Sequence, residues 1–118
     1  MSVLFVYGTL RPGQRAHDAL GACRVLGPAR TQPHWTLMDL GPYPALVAGG
    51  QSAVTGDLVE VDPKRLPALD RYEGASYSRR AVELLPPHAG VVVEAWVWVA
   101  PLPAAARPIE SGDWLVRP

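Results

Sequence analysis

Two short stretches carry the side chains of this sequence that could do chemistry. The first, YGTLRPG at residues 7–13, brings a phenol, a hydroxyl and a guanidinium directly after an apolar run. The second, LDRYEGASYSR at residues 69–79, supplies the carboxylate of Glu73 and, after it, Tyr77 and Arg79. An acid–base enzyme needs a carboxylate that titrates and a loop that binds the anionic part of its substrate. A receptor for a small anion needs only the loop.

Glu73 continues an apolar helix face that Leu66 and Leu69 begin, at positions i, i+3 and i+7. A side chain on this face points toward packed atoms, and its place in the last turn sets it against the helix dipole. Both effects raise the pKa of a carboxyl toward neutrality, where a general acid or base works best. The alternative is a glutamate in water, or one paired with an arginine at position 71, 79 or 80.

The 7–13 loop has the composition of an anion-binding turn. Gly8 permits a backbone conformation that other residues avoid, so that successive N–H groups can converge on a ligand. Thr9 and Arg11 would add a hydroxyl donor and a charge. The spacing is not that of a phosphate loop, and the alternative is an ordinary turn between a strand and a helix. Tyr77 and Arg79 share one face of the next strand, where they either line the same pocket or form a surface pair.

Other catalytic patterns are missing from the sequence. His17, His34 and His88 lie far apart and lack metal-ligand spacing, so we expect no metal site. No serine lies in a nucleophile-elbow pattern. Cys23 is the only cysteine, which excludes an internal disulfide and makes a reducing cytoplasm the simplest setting.

The composition predicts one globular domain over residues 1–118. Hydrophobic residues make up 48% and charged residues 19%, so the chain is neither a disordered tail nor a membrane span. No apolar run approaches the ~18 residues that a transmembrane helix needs, and we expect no signal peptide. Eleven basic and eleven acidic residues give a net charge of zero, which argues against nucleic acid as a partner.

The elements that must position these residues are mostly strands, so the pattern predicts an α+β fold or a small barrel. Gly27-Pro28 and Pro33 are expected to break the strands around them, and Gly41-Pro42-Tyr43-Pro44 to form a turn. A helix is expected between Asp62 and Gly74, and a shorter one over residues 14–22. The predicted extended segments are residues 3–7, 23–31, 34–40, 45–47, 53–61, 77–85 and 91–99.

In the last of these segments Val93, Ala95 and Val97 share one face, together with Val91 and Val99. The tryptophans at positions 96 and 98 lie on the other face, where the pattern favours a place in the core or in a buried homodimer surface.

Taken together, the two motifs resemble those of the γ-glutamylcyclotransferase-like proteins, in the small branch related to γ-glutamylamine cyclotransferase. The family's tyrosine-glycine-serine/threonine loop matches Tyr7, Gly8, Thr9 and Leu10. Its leucine-aspartate, glutamate and tyrosine-x-arginine pattern matches the sequence at positions 69–70, 73 and 77–79. The resemblance runs over residues 3–99 and is weakest over residues 31–52.

The resemblance implies a small mixed or antiparallel β-barrel with one or two short helices and a cavity at one barrel end. It also implies an enzyme that cyclises a γ-glutamyl amine or amino acid to 5-oxoproline without metal, cofactor or covalent intermediate. Glu73 would be the acid and base, and the loop from Tyr7 to Leu10 would hold the substrate's α-carboxylate through its N–H groups. Tyr77 and Arg79 would be further substrate-binding residues.

Two other functions remain open from the residues alone. The same fold could be a non-enzymatic module that senses a small carboxylate metabolite, which would keep the 7–13 loop but would not need Glu73 to titrate. An oligomeric scaffold joined through Trp96 and Trp98 would be a homodimer without a small-molecule ligand. The presence of Glu73 favours the enzyme over the binding module, and a ligand screen with light scattering would distinguish the scaffold from both.

Overall fold

One curled sheet organises the chain. The computed structural model describes residues 1–117, and all the strands within them join an eight-stranded mixed sheet in the order β2-β5-β1-β7-β4-β3-β8, with β6 also paired to β7. β7 runs parallel to β1 and to β4, and the other pairs are antiparallel. The strands are β1 (Ser2–Val6), β2 (Cys23–Arg30), β3 (Trp35–Asp39), β4 (Pro44–Ala48), β5 (Thr55–Val61), β6 (Tyr77–Val82), β7 (Val93–Trp98) and β8 (Arg107–Pro108).

The sheet forms a half-barrel with one short α-helix, α1 (Leu66–Glu73), which confirms the predicted α+β class and mixed barrel-like sheet. β8 was not predicted, because two residues leave no periodicity to detect.

β1 is apolar on both faces because each face contacts a different part of the core. Phe5 packs inside the curl, together with Leu37, Leu46, Val93, Ala95 and Val97. Leu4 and Val6 pack on the other side, together with Val59, Val61, Leu69 and Trp96. The predicted alternation along β7 is therefore confirmed, although Val91 and Val99 lie outside the strand and are exposed.

The segment before α1 is a separate 3₁₀ helix, Pro63–Arg65. The Asp62 side chain caps it by accepting a hydrogen bond from the Lys64 backbone N–H at 3.0 Å. α1 then begins at Leu66, and its first turn contains Pro67. A proline there removes no hydrogen bond, since the first backbone N–H groups of a helix have no partner within it.

α1 presents the face that the sequence predicts. Leu66 and Leu69 are buried, Glu73 at the end is partly buried, and Gly74 terminates the helix with a φ of 87°. With eight residues it is the longest helix within residues 1–117, and none of the helices there has the length and apolarity needed to cross a lipid bilayer.

The predicted helix over residues 14–22 is wrong in extent and type, since only a 3₁₀ turn forms, at His17–Leu20. Ala16 precedes it without a capping side chain, and Gly21 ends it with a φ of 69°. A four-residue segment offers too few hydrogen bonds to propagate an α-helix.

The predicted break at Gly27-Pro28 is also wrong, because β2 continues through both residues. β2 lies at an edge of the sheet, where a proline without an N–H is tolerated. A bulge between Val25 and Gly27 accommodates one residue of β2 that has no partner in β5.

Arg11, which the sequence suggested as a charge for a ligand, is instead bound within the protein. Its residue is 7% exposed; its Nε donates to Asp57 Oδ2 in β5 at 2.7 Å, and its Nη1 donates to Asp113 Oδ1 at 2.9 Å. The guanidinium therefore ties the 7–13 loop to the sheet and to the C-terminal segment.

Replacing Arg11 tests this anchoring. Arg11→Met leaves two largely buried carboxylates without their counter-charge, so we expect the free energy of unfolding to fall by about 2–4 kcal/mol. Urea denaturation at pH 7 measures it. Arg24→Met, at an exposed position of β2, is the matched control and should change the value by less than about 0.5 kcal/mol. Equal effects of the two substitutions would contradict the anchoring role.

Candidate active site

A cavity of about 490 Å³ opens where the carboxyl ends of β1 and β7 meet the end of α1 and the first residues of β4 and β6. β1 and β7 are parallel neighbours, so the segments that follow them leave the sheet at the same end. Six of the seven residues that the sequence predicts for the site line this cavity: Tyr7, Gly8, Thr9, Leu10, Glu73 and Tyr77. The seventh, Arg79, does not.

Glu73 is a carboxylate that has no counter-ion in the described part of the chain. None of residues 1–117 forms an ion pair with it, and the arginines at positions 71, 79 and 80 do not reach it. Burial raises the pKa of Glu73 from 4.5 to about 7. The predicted rise in pKa is therefore confirmed, with desolvation as its cause.

Asp70, one helical turn before Glu73, fixes α1 on the sheet. It accepts hydrogen bonds from Arg79 Nε at 3.0 Å, from Arg79 Nη2 at 3.1 Å and from Trp96 Nε1 at 2.9 Å. Arg79 Nη1 donates in turn to Glu94 Oε1 at 2.7 Å. The Arg79 guanidinium holds the pKa of Asp70 below its usual value, so this carboxylate stays charged. Arg79 thus positions the helix that carries Glu73 instead of facing the cavity.

The 7–13 loop leaves three successive backbone N–H groups unused. Within the described part of the chain, the amides of Gly8, Thr9 and Leu10 donate no hydrogen bond to a protein acceptor. The loop's carbonyls are engaged, since Gly8 O accepts from the Arg11 N–H at 3.1 Å and Thr9 O accepts from the Ala16 N–H at 3.0 Å. Consecutive free amides form a concavity suited to an anion.

The reason for glycine at position 8 differs from the predicted one. Gly8 does not adopt a left-handed φ; in this loop the positive φ belongs to Gly13, at 81°. Gly8 lies instead against the ring of Pro44, and a Cβ atom there would overlap Pro44 Cγ and Cδ. The constraint is therefore close packing against the first residue of β4.

The two predicted tyrosines are bound to the backbone through their hydroxyls. Tyr7 Oη donates to Trp96 O at 2.6 Å and accepts from the Leu46 N–H at 3.3 Å, while Tyr77 Oη donates to Pro44 O at 2.8 Å. Burial above all raises the pKa of both tyrosines above the ordinary value. Both phenols stay neutral near pH 7, which leaves proton transfer there to Glu73.

Several cavity residues were missed because no local pattern marks them. They come from the segment before the 3₁₀ turn, from the turn before β4 together with the first residue of β4, and from the end of β7: Arg15, Pro42, Tyr43, Pro44 and Trp98. Trp96 is in the core, as predicted, and also lines the cavity. Trp98 lines the cavity with its ring edge-to-face against Tyr77, at a centroid distance of 5.1 Å. The turn itself was recognised from its glycine and prolines, but the sequence carries no sign of what it faces.

The arrangement combines one titratable carboxylate with three unused amides in one cavity. Within residues 1–117, no three histidine, cysteine, aspartate or glutamate side chains lie close enough together to hold a metal ion. The chemistry that these groups offer is proton transfer near neutral pH on a ligand held through an anionic group.

Known proteins resemble this chain in both sequence and fold. A family model described as "Gamma-glutamyl cyclotransferase, AIG2-like" matches residues 4–116. The chain is 37% identical over 116 residues to a Vibrio cholerae protein named "Putative gamma-glutamylcyclotransferase", covering 98% of this chain and 96% of that one. A similarly named protein of Methanocaldococcus jannaschii is 32% identical, with 97% and 96% covered. The structure of an AIG2-like protein from Mus musculus superposes with a TM-score of 0.73 at 28% identity, covering 100% of this chain and 84% of that one.

The raised pKa of Glu73 has a consequence for stability. Below about pH 4.5 its carboxyl is protonated in both the folded and the unfolded state. As the pH rises from about 4.5 to about 7, the unfolded chain ionises first, so this group destabilises the folded state increasingly and reaches its full effect above pH 7.

Glu73→Gln should remove this destabilisation. We expect the variant to exceed the wild type in free energy of unfolding by about 1–3 kcal/mol at pH 8 and to match it at pH 4. Urea denaturation at the two pH values measures the difference, with Glu83→Gln at an exposed position as the control. A variant less stable than the wild type at pH 8 would show that the carboxylate is compensated in the fold.

Proposed function

The chain belongs to the gamma-glutamyl cyclotransferase, AIG2-like family, and on this premise we propose that it cyclises a γ-glutamyl amine or amino acid to 5-oxoproline. Glu73 is the general acid and base. The observation that carries the proposal is its partly buried carboxylate, which has a pKa of about 7 and no ion-pair partner among residues 1–117. It lines the same cavity as the three unused amides of the 7–13 loop.

In this function the amides of Gly8, Thr9 and Leu10 receive the α-carboxylate of the γ-glutamyl group. Their N–H groups are free, and the buried positions of Gly8 and Leu10 limit competition from water. A carboxylate held by several fixed N–H donors needs no positive side chain, which is consistent with the pairing of Arg11 with Asp57 and Asp113.

The reaction is an intramolecular acyl transfer. Glu73 takes a proton from the α-ammonium, and the resulting amine attacks the γ-carbonyl carbon to form the C–N bond of the ring. The tetrahedral intermediate then collapses, the bond from the γ-carbon to the original nitrogen breaks, and Glu73 returns a proton to the departing nitrogen. The ring nitrogen gives up its second proton, which ends on the released amine as an ammonium, so that Glu73 is again ionised for the next cycle. The products are 5-oxoproline and a free amine or amino acid.

A pKa near 7 suits both roles of Glu73. A carboxyl with the ordinary pKa would be too weak a base to take a proton from an ammonium and would seldom be protonated when the leaving nitrogen needs an acid. Holding the substrate folded contributes as well, because oriented intramolecular reactions gain roughly 7–11 kcal/mol over their bimolecular counterparts.

The unpaired state of Glu73 favours an enzyme over a receptor for a small carboxylate. A receptor would use the amides of the 7–13 loop, but a desolvated carboxylate in the same cavity would repel its ligand and destabilise its fold. An acid–base catalyst needs that carboxylate.

Release of 5-oxoproline from γ-glutamyl amines and γ-glutamyl amino acids tests the proposal. Glu73→Gln keeps the size of the side chain but cannot exchange a proton, so we expect kcat to fall by about 10²–10⁴-fold. In the wild type, kcat/KM should rise with pH through about 7, as Glu73 ionises in the free enzyme. Glu83→Gln is the control. Near-wild-type turnover by Glu73→Gln would assign the acid–base role elsewhere, and absence of 5-oxoproline with every substrate would refute the reaction.

Gly8→Ala tests the binding role of the loop. The added methyl group would overlap Pro44 and push the amides away from the cavity, so we expect KM for a turned-over substrate to rise about tenfold or more. Gly49→Ala is the control: its φ of 89° strains an alanine and so destabilises the fold, but a Cβ atom there meets nothing within 4 Å and Gly49 lies outside the cavity. If KM rises equally in both variants, a general loss of stability explains the effect.

A further inference from the structure

Arg15 supplies the positive charge of the cavity. Of the residues 1–117 that line it, Arg15 is the one cation and Glu73 the one carboxylate. The Arg15 guanidinium is exposed and donates one hydrogen bond, from Nη2 to Pro42 O, and within the described residues it forms no ion pair. A guanidinium carries five N–H donors in a planar fork, so most of its donors remain free for a ligand.

The depth of the lining residues gives the cavity a direction. Gly8 and Leu10 are buried, which places the unused amides at its inner end. Arg15 is exposed, as are Tyr43 at 40% and Tyr72 at 56%, so these residues lie at the mouth. A substrate whose α-carboxylate reaches the inner amides must direct the group attached to its γ-carbonyl toward the mouth.

We infer that Arg15 is a specificity-determining residue that binds a carboxylate on the leaving group, an inference that rests on the proposed function. The substrates are then γ-glutamyl amino acids or peptides, whose leaving group carries such a carboxylate. A planar guanidinium at the mouth matches a carboxylate through two parallel hydrogen bonds. The leaving group of a simple γ-glutamyl amine has no anion and gains nothing from Arg15.

The bond to Pro42 gives Arg15 a second effect that the experiment must separate. By holding Pro42 O, Arg15 also connects the segment after the 7–13 loop to the turn that carries Tyr43 and Pro44. Loss of this connection would disturb the whole cavity and would slow every substrate to the same degree. Loss of a leaving-group contact would slow only the substrates that carry the carboxylate.

A pair of substrates that differ by one carboxylate makes the distinction. γ-Glutamylalanine and γ-glutamylethylamine release leaving groups that are alike except for that group. We expect the wild type to favour γ-glutamylalanine in kcat/KM by about tenfold, the size of one charge-assisted hydrogen-bonded pair. Arg15→Gln should bring the ratio close to one, Arg15→Lys should keep part of it, and added salt should lower it in the wild type.

Arg71→Gln is the matched control. It removes the same charge from an exposed arginine of α1 that does not line the cavity, so the ratio should stay at the wild-type value. A wild-type ratio near one, or a ratio that survives Arg15→Gln, would overturn the inference while leaving the cyclisation intact. Failure of the wild type to release 5-oxoproline from either substrate would overturn the proposed function and this inference with it.

Discussion

The contact of Asp70 with Arg79 and Trp96 determines where the site can form. α1 has only eight residues, and a helix of that length is not stable by itself. Its apolar face packs on the sheet, but packing alone would allow the helix to slide or rotate. Hydrogen bonds from two strands to a single carboxylate fix the rotation of α1. Glu73, one turn later, is thereby directed into the cavity.

Charge pairing then decides which acidic residue can titrate near neutral pH. Arg11 pairs with Asp57 and Asp113, and Arg79 pairs with Asp70 and Glu94. Each of these carboxylates has a cation within hydrogen-bonding distance. Glu73 is partly buried without such a cation among residues 1–117, and desolvation alone raises its pKa. The difference between Glu73 and these paired carboxylates therefore depends on where Arg11 and Arg79 lie at least as much as on the surroundings of Glu73.

The sequence predicted what depends on local pattern and missed what depends on contacts between distant segments. The apolar run of β1, the two faces of β7 and the face of α1 that carries Glu73 follow from periodicity and were found. The roles of Arg11 and Arg79 were misjudged because their partners lie on other elements. The need for a glycine at position 8 was predicted correctly. Its reason, the contact with Pro44, could not be predicted, because the two residues are far apart in the sequence.

The pairing of Arg11 with Asp113 joins residues that lie 102 positions apart in the chain. β1, which leads into the same loop, pairs with β5 and β7, and both of these also come much later. A nascent chain therefore makes the 7–13 loop well before the residues that hold it. The contact between Arg11 and Asp113 can form only after Asp113 has left the ribosome, so the loop gains its full set of contacts late, and pairings between segments so distant in sequence favour slow folding.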